Sequence, residues 1–197
     1  MINNSETTNF NPSLQIAGMH PGDNSIEFQG VRKTKQVLWL QNGNNHYFSD
    51  LPSEHFNILK STYLKDHKAV RFLSGVTDHI SRQVELYTYY MYGEVDATPD
   101  IDKDGNLAPS ENFRDTQNCP SLLWNSKNIN IGAHILTPRQ LVIVDLIGNN
   151  LPDKAIASIL GVSHKTLDFH KSKLYKCVGV STKLDLLKLS MKYKIVA

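Results

Sequence analysis

The four residues Leu160-Gly161-Val162-Ser163 constrain this chain more than any other stretch. Glycine tolerates the left-handed backbone of a tight turn, valine can fill the angle between two elements, and serine can accept the first free N–H groups of a following helix. Apolar residues recur at helical spacing on both sides. A helix over 152–160 would bury Ile156, Ile159 and Leu160, and one running from Ser163 to Gly179 would bury Leu167, His170, Leu174 and Val178. Two helices joined by a three-residue turn containing glycine make a helix-turn-helix.

The flanking residues agree with that unit. Thr137 can cap a helix, Pro138 suits its first turn, and Gln140 completes a capping box. Ile143, Val144, Leu146 and Ile147 give that helix a buried face, and Gly148-Asn149-Asn150 can end it. A last helix starting near Ser181 or Thr182 places Leu184, Leu187 and Met191 on one face, for packing within the chain or for a dimer contact.

Charge separates this segment from the rest. Residues 136–197 carry 10 Lys or Arg against 4 Asp or Glu, a net of +6, whereas the remaining residues carry a net of −4. The helix after Ser163 leaves Lys165, Asp168, Phe169, Lys171, Ser172, Lys173 and Lys176 outside its apolar stripe. A face dense in lysine and short polar groups suits a major groove, the lysines on phosphates and the side chains between them on base edges.

Residues 136–189 resemble the four-helix DNA-binding domain of the LuxR/GerE/NarL-type bacterial transcription regulators. The resemblance rests on Leu136-Thr137-Pro138-Arg139-Gln140, Ile156-Ala157, the Leu-Gly-Val-Ser turn, Thr166-Leu167 with His170, and Val178-Gly179-Val180. It implies base contacts from Asp168, Phe169 and Ser172, and backbone contacts from Lys154, Lys165, Thr166, Lys171, Lys173 and Lys176. Ser163, His164 and His170 belong to the same implied interface, with His170 also a structural residue of the apolar stripe. The chain departs from the family pattern at Asp168, where relatives often have Lys or Arg, and at Ala155 and Cys177, which take the places of a Glu and a Lys. An Asp there repels phosphate but can accept a hydrogen bond from cytosine N4, and Phe169 can touch a thymine methyl.

The upstream part reads as α+β. Strand-like runs at 36–41 and 46–49 flank an Asn-Gly hairpin signal, and Ser25-Ile26-Glu27-Phe28-Gln29-Gly30 adds a third strand. Helices follow: one capped by Ser53 with Phe56, Leu59 and Tyr63 on its inner face, one carrying Ala69, Phe72 and Leu73, and one from Thr77 to a left-handed stop at Gly93. The last has Ile80, Val84, Tyr87 and Met91 as its stripe. Its tyrosines, Tyr87, Tyr89, Tyr90 and Tyr92, fit core packing or else a ligand pocket or dimer interface.

Residues 100–111 carry the spacing of a calcium-binding EF-hand loop, with Asp100, Asp102, Asp104, Asn106 and Glu111 as oxygen donors. Pro99 and Pro109 interrupt both helices that such a loop requires. An Asp/Gly-rich turn is therefore expected in place of a metal site.

The expected organisation is a flexible arm over 1–24, an α+β domain of unknown input over 25–95, a loop-rich linker over 96–131 and the helix-turn-helix domain over 132–197. Cys119 and Cys177 have no metal spacing and are expected as reduced thiols. No apolar run reaches membrane-spanning length and no export signal opens the chain, so a cytoplasmic location is expected. No phosphate-binding glycine loop, receiver pattern or catalytic constellation appears, and neither a cofactor nor an enzymatic activity is expected. The expected partners are double-stranded DNA, a second copy of the chain in a homodimer, and RNA polymerase. The competing expectation is a ligand- or calcium-responsive module whose C-terminal helices bind a protein.

Overall fold

A computed structural model describes residues 16–195. β1 (Glu27–Val31), β2 (Gln36–Gln41) and β3 (Asn44–Tyr47) form an antiparallel sheet in that order. Asn42 and Gly43 both take positive φ, 52° and 78°, which matches the twist of a two-residue hairpin. α1 (Ser53–Lys65), α2 (His67–Ser74) and α3 (Ile80–Tyr92) then pack on the sheet and on one another. No helix among the described residues is long and apolar enough to cross a membrane.

α3 is the centre of this half. Every residue from Leu86 to Tyr92 is buried, as expected of a helix enclosed on all sides. Its four tyrosines are core residues, and three find partners for their hydroxyls. Tyr87 pairs with Ser126 Oγ at 2.9 Å, Tyr90 accepts from Lys35 Nζ at 2.6 Å, and Tyr92 donates to the Ala108 carbonyl at 3.2 Å. A pocket or dimer surface built on these tyrosines is therefore not what the fold makes of them.

Several boundaries differ from the sequence expectation. The helix expected from Thr77 begins at Ile80, because the Thr77 hydroxyl accepts from His79 N and its carbonyl accepts from Gln83 Nε2. Ile80 is 40% exposed and stands outside the stripe. Gly93 has φ −88°, not a left-handed backbone; a Cβ there would lie 2.8 Å from the Phe113 ring, so close packing is what demands glycine. Pro52 takes the cap position of α1 that Ser53 was expected to hold, and Phe72 is exposed on α2 while Ala69 and Leu73 are buried.

Residues 1–15 of the expected arm lie outside the described residues. Residues 16–24 are tied down: Ala17 N donates to the Asp96 carbonyl and Gly18 N to Asp23 Oδ2. The expected linker is also packed. Ile101 exchanges backbone hydrogen bonds with Ile26, and Ile101, Phe113, Cys119 and Trp124 are buried in the same core as the sheet. The Trp124 ring stacks on Tyr87 with centroids 5.7 Å apart. Burial pushes the Cys119 thiol above its ordinary pKa, and both cysteines are free.

A second core runs from Ile129 to Ile195. β4 (Asn130–Ile131) and β5 (His134–Ile135) form a small hairpin, and α4 (Pro138–Gly148), α5 (Asp153–Ile159), α6 (His164–Val178) and α7 (Lys183–Lys192) follow. The cores meet at a polar seam. Arg114 forks onto Asp145 of α4 at 2.9 and 2.7 Å and donates to the Ile195 carbonyl at 2.6 Å. Asn112 Nδ2 donates to the carbonyls of Asn130 and Tyr193, both at 2.8 Å, and Lys194 Nζ donates to the Val95 carbonyl at 2.8 Å.

The Arg114 and Asp145 side chains are only 7% and 9% exposed, so removing one leaves the other buried without its partner. Arg114→Ala should lower unfolding free energy by about 3–5 kcal/mol in urea titration, whereas an exposed arginine such as Arg71 should cost about 0.5 kcal/mol or less.

Candidate nucleic-acid interface

The helix-turn-helix is assembled from reciprocal caps. Gln140 N donates to Thr137 Oγ1 at 3.3 Å and Thr137 N to Gln140 Oε1 at 2.9 Å, which completes the capping box of α4. Asn150, at φ 56°, turns the chain after α4. α5 packs on α6 through Ile156 and Ala157. Gly161 takes φ 63° at the turn, half-buried Val162 packs on the core, and Ser163 Oγ accepts from Thr166 N at 3.1 Å to start α6.

Inside α6, Leu167 and Leu174 are fully buried, while His170 and Val178 are half-buried at the edges of the stripe. On α5, Ile159 is 60% exposed and is not the core residue the spacing suggested; Ala157 is buried instead. The helix is too short to bury two faces, and α6 covers the one that carries Ile156.

The outer surface of α6 presents Lys165, Asp168, Phe169, Ser172, Lys173 and Lys176, all exposed. Phe169 is 66% exposed, with its ring in edge contact with His170 at a centroid distance of 5.9 Å. Ser163, His164 and Thr166 stand exposed at the N-terminal end of α6, and Lys154 is exposed on α5. His164 Nδ1 lies 3.1 Å from Asp168 Oδ2 one turn on, so part of the Asp168 carboxylate is engaged within the helix. Ser163 Oγ also lies 2.8 Å from Thr166 Oγ1.

Lys171 stands apart from this face. Its side chain is 12% exposed and its Nζ lies 2.5 Å from Asp153 Oδ2, so it links α6 to α5 rather than facing solvent. Burial opposes the Lys171 charge more than any single contact favours it, but the bond to Asp153 and the charges of Tyr175, Asp153 and Asp168 together outweigh it and its pKa is raised; the bond also holds the Asp153 carboxyl below its usual range. Sequence spacing could not separate Lys171 from Lys173, because the partner that captures it lies 18 positions upstream.

The α7 face that carries Leu184, Leu187 and Met191, expected either to pack within the chain or to make a dimer contact, is largely outside. Leu184 and Met191 are both 57% exposed and Leu187 is half-buried, whereas Leu186 and Ser190 point into the core.

The five donors of the EF-hand-like stretch do not gather at one point: Asp102, Asp104 and Asn106 lie in a turn apart from Asp100 and Glu111. Asp102 Oδ1 accepts from the backbone N–H groups of Asp104 and Asn106 at 2.9 and 2.8 Å, which makes the expected Asp/Gly turn, with Gly105 at φ 82°. Asp104 and Asn106 are exposed, while Asp100 is buried and Glu111 half-buried on the other side of the loop.

Ser163→Ala removes the cap at the start of α6. It should lower stability by about 1 kcal/mol in denaturant titration, with a smaller loss for Ser163→Gly.

No curated protein and no solved structure matches the chain. Residues 134–190 match the family model described as bacterial regulatory proteins, luxR family. The helix-turn-helix built from α4 to α7 is therefore a luxR-family domain, the DNA-binding domain of transcription regulators.

Proposed function

We propose that this chain is a sequence-specific regulator of transcription in the bacterial cytoplasm, and that its four-helix C-terminal domain inserts α6 into the major groove of duplex DNA. The observation that carries the reading is the solvent-facing surface of α6, where Lys165, Lys173 and Lys176 stand exposed beside Phe169 and Ser172 and none of the described residues covers them. Lys154, Lys165, Lys173 and Lys176 neutralise phosphates, helped by Ser163, His164, Thr166 and the edge of His170. Asp168, Phe169 and Ser172 read base edges, Phe169 through a thymine methyl and Asp168 through cytosine N4. Lys171 serves the interface from behind by fixing α6 on α5.

Residues 132–197 act as the output unit in this reading, and the preceding residues as its input unit. The exposed Leu184 and Met191 and the half-buried Leu187 on α7 form the contact between two copies, which places two recognition helices on two half-sites and combines their affinities. RNA polymerase is the downstream partner.

Fluorescence anisotropy of the full chain against a labelled duplex across a salt series tests this reading. Affinity should fall steeply with salt, and Lys173→Ala should weaken binding to every sequence and flatten the logarithmic salt slope by about 0.9. Asp168→Ala should change which sequence is preferred. Salt-independent binding, or none at low salt, would defeat the reading. Leu184→Glu should abolish self-association in sedimentation velocity while leaving the fold intact by circular dichroism; a dimer that persists would move the contact elsewhere.

A further inference from the structure

The two ends of the loop 100–111 reach a third carboxylate that the loop does not contain. Glu27 of β1 is fully buried, Asp100 is 2% exposed and Glu111 is half-buried. One carboxylate oxygen of each lies within 4.8 Å of those of the other two. Backbone amides hold the three in place: Asp96 N donates to Glu27 Oε1 at 2.6 Å, Phe28 N to Asp100 Oδ2 at 2.7 Å, and Glu94 N to Glu111 Oε2 at 2.9 Å.

These amides leave the cluster incomplete. Glu27 Oε2 is sealed from solvent and has no hydrogen-bond partner. Among the described residues no Lys, Arg or His forms an ion pair with any of the three carboxylates, and the ammonium of buried Lys127 donates to the Tyr90 carbonyl at 2.6 Å. A buried carboxylate oxygen without a partner, beside two more carboxylates, is expensive unless a cation or protons join it. A cavity of about 280 Å³ opens beside the cluster, lined by Asp96, Asp100, Glu111, Tyr193 and Lys194 among others, and gives it a route to solvent at the seam between the two cores.

We propose that Glu27, Asp100 and Glu111 bind a single hard divalent cation of the calcium or manganese class. The donors are all oxygens, the set such ions take, and two oxygens each about 2.4 Å from one ion lie no more than about 4.8 Å apart. Water from the cavity completes the shell. The site is not the EF-hand its loop spacing suggested. Asp100 and Glu111 hold the first and last positions of that spacing, but Asp102 is consumed by its own turn, and Glu27 from the sheet supplies the third carboxylate.

Protons compete for the same oxygens. Burial pushes both Glu27 and Glu111 up to about 8 and Asp100 well above the usual carboxylate range, with the neighbouring carboxylates adding to each shift. Asp96 beside the cluster favours a cation further, Lys194 and Lys127 oppose it, and the Tyr92 hydroxyl stays neutral beside it. The site does not depend on the DNA-binding reading.

Terbium titrated into the full chain at pH 7.5, with tyrosine excitation, reports the ion directly, since Tyr92 borders the cluster. Expected is saturable emission at one ion per chain, reversed by excess calcium or manganese. Glu27→Gln should weaken it by roughly tenfold or more, while the double variant Asp102→Asn, Asp104→Asn leaves it unchanged. Circular dichroism checks that Glu27→Gln folds; if it does not, Glu111→Gln at the cavity rim gives the same comparison. No saturable emission from the native chain would overturn the proposal. So would emission that survives loss of Glu27 or Glu111 unchanged, or emission that the double variant abolishes, which would move the ion to the exposed turn.

Discussion

The fork from Arg114 to Asp145 and the Ile195 carbonyl is the contact on which the arrangement of the two cores depends. Each core closes its own buried apolar residues and only half-buried Leu122, among the described residues, packs against both, so burial alone gives neither a strong reason to face the other in one orientation. A planar guanidinium in a nearly dry site supplies that reason, because it bonds only where carboxylate and carbonyl stand in its plane. The partners come from α4 and from the chain after α7, so one side chain fixes both ends of the helical unit. Asn112 and Lys194 add bonds on the same side and make the seam a set of directed contacts rather than an apolar patch.

What was legible in the sequence follows a rule of distance along the chain. The caps at Thr137 and Ser163 and the turn at Gly161 join residues three or four positions apart, and each formed as the spacing indicated. The match over residues 134–190 bears out the resemblance that those local signals carried. Helical periodicity, by contrast, names an apolar face without saying whether anything will cover it. Ile159, Leu184 and Met191 lie on faces that α5 and α7 leave to solvent, and Ile80 stands just outside the packed stripe.

The segment 96–131 was misleading for a related reason. Its composition is that of a loop, yet Ile101, Phe113, Cys119 and Trp124 occur far enough apart to show no period and still anchor it to the first core. Glu27 was equally silent. A glutamate in a strand reads as solvent-facing, and only the fold shows that the loop ends bring Asp100 and Glu111 against it. Lys171 was over-read for the same cause, since its partner Asp153 belongs to the preceding helix.

The uneven charge of the chain acquires a geometric meaning from the seam. The net −4 of the upstream residues would repel DNA if it bordered the recognition helix, and a total of +2 is too small to attract DNA by itself. Every hydrogen bond and ion pair given across the seam reaches β4, α4 or the residues after α7, and among the described residues none reaches α5 or α6. Lys194 is spent there against Glu94 and Asp96, where its charge offsets acidic groups. Lys154, Lys165, Lys173 and Lys176 are exposed on α5 and α6, which take no part in those bonds. In the proposed DNA-binding reading, four lysines grouped on two adjacent helices act on a phosphate backbone, and salt screens any acidic group that lies more than about 8 Å from it. In that reading the position of the seam, more than the total charge, is what lets the basic face meet a polyanion.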